Sequence, residues 1–122
     1  MIEFLFALAT LASGNSGTTP APIACQPKAL DPAQRKRQQA LLRTLQGRVQ
    51  ETKELPDGYA FRLPTDPALF QEGAEWVSLE RRCCPFLAFA LEWREDDTVW
   101  VRATGGPGAK AALAAEMGIK AR

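Results

Sequence analysis

The stretch LERRCCPF, residues 79–86, closes a helical pattern with two adjacent cysteines set directly before a proline. From Pro67 onward, Leu69, Gly73, Trp76, Val77, Cys83 and Cys84 fall on one side when residues are spaced at about 100°. Gln71, Glu75, Ser78 and Arg82 fall on the other side. Glu80 lands near the centre of the apolar side, one turn before both cysteines. Burying a carboxylate without a partner is costly, so the fold must provide one. An arginine, backbone N–H groups, a bound proton or a bound cation would each serve. Pro85 disfavours helical geometry in the residue before it, so the chain must leave the helix at the cysteines.

The rest of the chain organises around that helix. Asp31-Pro32-Ala33-Gln34 is a helix start, with Asp31 as cap, Pro32 at the first helical position and Gln34 completing a capping box. This helix is expected to reach about Leu45, with Leu41, Leu42 and Leu45 inward and Gly47 near its end. Residues 49–55 and 59–63 read as strands joined by the turn Pro56-Asp57-Gly58. Tyr59, Phe61 and Leu63 alternate with Ala60 and Arg62, which predicts a sheet with one buried face. Thr65-Asp66-Pro67 opens the second helix, running into Arg81 or Arg82. FLAFALEW and TVWVRAT are a second strand pair, turned at Arg94-Glu95-Asp96-Asp97. Gly105-Gly106-Pro107-Gly108 leads into a third helix over residues 109–117, with Pro107 at its first position. The expected fold is α+β, in the order αββαββα, with a four-stranded mostly antiparallel sheet covered by helices. Trp76, Phe86, Phe89, Trp93 and Trp100 read as core aromatics.

Charge and composition remove whole classes of function. The 122 residues carry 15 basic and 14 acidic side chains, a net charge of +1, which argues against nucleic acid as a partner. Arg35-Lys36-Arg37 is the one basic run, read as a solvated helix face. With no histidine, the chain cannot build a Ser-His-Asp or Cys-His catalytic set, or a mixed Cys/His zinc site. Any metal must be held by thiolate, carboxylate or backbone oxygen. GGPGAK at residues 105–110 lacks the phosphate-loop pattern and reads as a strand-to-helix turn.

Residues 1–22 read as a signal peptide or flexible leader, and residues 23–122 as a single α+β domain. Ala12-Ser13-Gly14 suits a signal-peptidase cut, whereas Glu3 and the lack of a basic n-region oppose export. The apolar run is shorter than the roughly 20 residues a membrane span needs. The expected location is therefore periplasmic or secreted if the leader is cleaved, and cytoplasmic otherwise.

Chemistry concentrates on Cys25, Cys83, Cys84 and Glu80. Adjacent cysteines rarely bond to each other, but can converge on one large soft ion where the chain leaves the helix. Thiolates favour zinc, copper(I) and other thiophilic ions, and mercuric ion and arsenite belong to the same class. Cys83 and Cys84 sit at a helix C-terminus, whose partial negative charge attracts cations and opposes thiolate formation. Reactive thiols in oxidoreductases typically sit at the opposite end. The leading reading is a thiophilic metal or metalloid site on Cys25, Cys83 and Cys84, with Glu80 beside it. Two readings stay open beside it: a thiol redox protein or enzyme using Cys83 or Cys84, and a disulfide-stapled structural domain. Glu80 is read equally as a structural brace.

At IAC (residues 23–25) and LERRCCPFLAFALE (residues 79–92), the chain resembles a small bacterial domain and the segment appended to some MerR-type metal-responsive regulators. The likeness also takes in Leu55-Pro56-Asp57-Gly58 and extends to about Met117. It implies an association with metals and carries no catalytic residues. The chain has no helix-turn-helix region that would carry over DNA binding.

Overall fold

The computed structural model describes residues 24–120. The leader expected over residues 1–22 lies outside them. The elements are α1 (Pro32–Arg48), β1 (Glu51–Leu55), β2 (Gly58–Leu63), α2 (Pro67–Cys83), β3 (Leu87–Trp93), β4 (Val99–Gly105) and α3 (Ala109–Met117), preceded by a single 3-10 turn at Pro27–Ala29. The order is the expected αββαββα, and the four strands form one antiparallel sheet ordered β1-β2-β4-β3. Among the described residues, no helix is long and apolar enough to cross a membrane.

Local signals set most of the boundaries. Asp31 and Gln34 form the reciprocal capping box, with Gln34 N–H donating to Asp31 Oδ1 at 2.8 Å and Asp31 N–H to Gln34 Oε1 at 3.0 Å. α1 then runs through Gly47 to Arg48, nearly a turn beyond Leu45, with Gly47 a helical residue rather than a terminator. Its inner face is Leu41 and Leu45, with Leu42 half-buried. The lengthened helix shortens β1, which starts at Glu51 rather than residue 49. Gly58 belongs to β2, paired with Leu55, so the hairpin turns on Pro56 and Asp57 alone.

The register puts Tyr59, Phe61 and Leu63 beside Ala103, Val101 and Val99 on one face, continued by Phe89, Leu91 and Trp93 of β3. The helices cover this face. Trp76 of α2 meets Phe89 edge-on at 5.5 Å, and Lys110 of α3 lies 5.6 Å from the Tyr59 ring. On the opposite face Trp100 is shielded by Lys53 and Arg94, stacked at 4.8 and 5.0 Å from its ring. Trp93 departs from the expected core role: among the described residues it is the one large exposed apolar side chain, 42% accessible. It sits at the end of β3, where its indole N–H can reach Asp97 Oδ1 (2.7 Å) while the ring packs on Phe70.

α2 is capped by Asp66, which accepts from Ala68 N–H, and ends one residue past Arg82. Its buried residues are Leu69, Gly73, Trp76, Leu79, Glu80 and Cys83, so the carboxylate does lie within the apolar stripe. α3 begins after Pro107, not on it. Gly108 is the cap, in left-handed geometry at φ 88°, and the first helical residue is Ala109.

Candidate metal centre

The site forms where the chain leaves α2. Cys84 caps the helix, its N–H bonding Glu80 O at 2.7 Å. Leu87 N–H bonds Cys84 O, turning the chain into β3. The segment before α1 is strapped across this end. Gln26 N–H donates to Cys83 O at 2.6 Å, Arg82 Nη2 donates to Ala29 O at 2.8 Å, and Leu30 is buried. Arg82, expected to face solvent, is exposed but turns its guanidinium onto the strap.

The strap carries Cys25 to the paired cysteines. Cys25 Sγ lies 2.8 Å from Cys84 Sγ, and all three sulfurs lie within 4.8 Å of one another. Cys83 and Cys84 are buried, whereas Cys25 faces solvent. All three are free thiols. The Cys25–Cys84 separation exceeds a disulfide bond by roughly 0.8 Å.

Glu80 is 1% exposed, and its partners are not arginines. Gln38 Nε2, from the inner face of α1, donates to Glu80 Oε2 at 2.7 Å. Cys84 Sγ donates to Glu80 Oε1 at 3.3 Å. Glu116 of α3 hydrogen-bonds the same carboxyl group, and its Oε2 lies 4.0 Å from Cys84 Sγ. Glu80, Cys84 and Glu116 thus form a second close-set group that shares Cys84 with the three thiols. Within the basic run, Arg37 makes a bidentate bridge to Glu75, tying α1 to α2 on the outside.

The electrostatics follow from burial and from this concentration of acids. Burial, then the hydrogen bond and charge of Glu80, pushes the Glu116 carboxyl up to about 8. At neutral pH it is mostly protonated and donates to its neighbour. Burial pushes the Cys84 thiol far up, reinforced by the Cys25 contact and by the charges of Glu80 and Glu116. Cys25 is also raised, first by burial and then by Glu116, Cys83 and Glu80, with the Cys84 contact opposing. None of the groups acting on these thiols is basic. The α2 C-terminus adds partial negative charge from its carbonyls. The arrangement therefore keeps the Cys25 and Cys84 thiols protonated and favours an incoming electrophile that can replace those protons.

All four expected residues, Cys25, Glu80, Cys83 and Cys84, come together at one end of α2. Gln38 and Glu116 were not anticipated. Gln38 had a signal, since it sits three residues before Leu41 on the inward face of α1. Glu116 had little, because the alanine-rich α3 does not define a face by periodicity. No protein-family model matches the chain, and no curated protein or solved structure is significantly similar to it.

Proposed function

We propose that the protein binds one thiophilic metal or metalloid ion through Cys25, Cys83 and Cys84, with Glu80 directly behind Cys84. The observation that carries this reading is the convergence of three free thiols, brought from two distant segments to within 4.8 Å. Soft sulfur donors with no imidazole select soft ions, and hard ions such as magnesium or calcium need several oxygen ligands. Zinc, copper(I), mercuric ion and arsenite are the class that fits. The same features oppose a nucleophilic thiol: burial, adjacent carboxyls and a helix C-terminus all disfavour thiolate. Sequestration, carriage or sensing of the ion would all use this site.

One contact favours a second reading. At 2.8 Å, Cys25 and Cys84 need only a small approach to form a disulfide. Titration of the fully reduced protein with each ion under anaerobic conditions separates the two, with native mass spectrometry and counting of protected thiols as readouts. Binding of one ion that protects all three thiols is expected, with Cys25→Ser binding weakly. If no ion of the class protects any thiol while air rapidly joins Cys25 to Cys84, the redox reading replaces this one.

A further inference from the structure

We infer that the ion this site takes is a trivalent, hydroxylated metalloid of the arsenite class rather than a divalent cation. The inference rests on the three-thiol reading above and narrows it to one ligand chemistry. Three observations point the same way.

The donor count comes first. The whole chain offers three cysteines and no histidine, and the fold gathers all three sulfurs. Three sulfurs complete the trigonal pyramid of a trivalent metalloid, whose fourth direction holds a lone pair. A structural zinc site takes four protein ligands, and zinc held by three keeps its fourth position for water. Glu80 is the nearest carboxylate to Cys84, and before binding both of its oxygens accept hydrogen bonds, one of them from the Cys84 thiol itself. Oε2 accepts from Gln38 at 2.7 Å, Oε1 accepts from Cys84 at 3.3 Å, and Glu116 bonds the same group.

Charge is the second consideration. Three thiolates around a divalent cation leave a net negative complex, set against the buried Glu80 carboxyl and the carbonyl end of α2. No basic side chain is among the groups acting on Cys84. Uncompensated buried charge is expensive. The metalloid reaction avoids it, because neutral As(OH)3 and three thiols give As(SR)3 and three waters. At each exchange one S–H and one As–OH bond break, one S–As bond forms, and the thiol proton leaves on the departing hydroxide as water. No electron is transferred and no charge accumulates.

Access is the third. Cys25 is exposed while Cys83 and Cys84 are buried, so a neutral ligand can be captured at the surface and passed inward by successive exchange. The Cys84 thiol already donates to Glu80, which can relay that proton to the departing hydroxide at the deepest exchange step.

The test uses the reduced full chain, with arsenite and zinc chloride added separately in weakly buffered solution at neutral pH. Arsenite should bind one to one, protect all three thiols and release no protons, and intact mass should show arsenic that has lost every oxygen. Zinc should release protons as it displaces them from sulfur, and should be displaced by arsenite at equal concentration. Cys25→Ser, altered at an exposed position, should weaken arsenite by roughly a hundredfold through loss of one arm of the chelate. Glu80→Gln should weaken zinc far more than arsenite, since only the cation complex depends on that negative charge. Tight zinc binding that arsenite cannot displace would overturn the inference and leave the three-thiol reading standing. Arsenite held by two thiols with one hydroxyl retained would also overturn it. Failure of arsenite would overturn the inference, and failure of zinc, copper(I) and mercuric ion as well would remove the three-thiol reading with it.

Discussion

Glu116 brings into the folded protein a carboxyl that titrates far from its ordinary range. Its value of about 8, against 4.5 for the free side chain, means that the native state holds a proton the unfolded chain releases. The stability tied to this group is fully present below about pH 4.5 and is lost as pH rises toward 8. Glu116 is only partly shielded from water, so the loss should be on the order of 1–2 kcal/mol. Thermal melts of the reduced, chelator-treated protein should therefore fall in Tm between about pH 5 and 8. Glu116→Gln removes the titrating group and should flatten that part of the profile. An equal slope in the variant would assign the pH dependence elsewhere. The raised thiols of Cys25 and Cys84 act with the same sign at higher pH, beyond their ordinary value of 9.0. At this scale the sequence revealed Glu80, because a charge inside an apolar stripe is visible as a misfit. It could not reveal that one of its partners would be another acid, because that pairing depends on how α3 docks.

The hairpins and helices were legible from caps, turns and alternation, and their limits were not. The capping box at Asp31 and Gln34 and the alternation of Tyr59, Phe61 and Leu63 are local, so they survive folding unchanged. The end of α1 and the role of Gly58 depend on neighbours distant in sequence. Gly58 looks like a turn glycine, yet its backbone is not in left-handed geometry. It is small because β4 passes close by: a Cβ there would overlap the Ala103 carbonyl oxygen and sit 2.9 Å from Thr104 Cα. Gly58→Ala should therefore cost about 2–3 kcal/mol, read as a lower denaturant midpoint at unchanged slope. Gly47 gives the opposite case, a helical glycine with nothing within 4 Å. Gly47→Ala should stabilise by up to about 0.5 kcal/mol, the helix-propensity gain reduced near the end of α1. Two identical substitutions with opposite signs test whether the strands meet as described. Equal effects would mean that the β2–β4 approach is looser than this.

Across the whole molecule, the site ties together parts of the chain that share no local structure. Cys25 comes from the strap, Gln38 from α1, Glu80, Cys83 and Cys84 from the end of α2, and Glu116 from α3. Anything that joins Cys25 to Cys84 therefore closes a loop spanning 59 positions and constrains the unfolded chain. By the loop-entropy relation a disulfide there stabilises by at most about 4 kcal/mol, less whatever the native geometry resists. Oxidation should thus raise Tm while consuming two of the three sulfurs that hold the ion. A bound ion stabilises by a different route, through mass action on the folded state, by about 2.7 kcal/mol at a hundredfold excess over Kd. The two states should exclude each other. The oxidised protein should show a raised Tm that no thiophilic ion shifts further, and the ion-loaded protein should resist formation of the Cys25–Cys84 bond. Melts of the four combinations of oxidant and ion, with non-reducing mass analysis of each, check this directly. An ion-dependent rise in Tm that persists after oxidation would mean that Cys25 and Cys84 are not both ligands, and would leave Cys83 as the one free thiol at the centre.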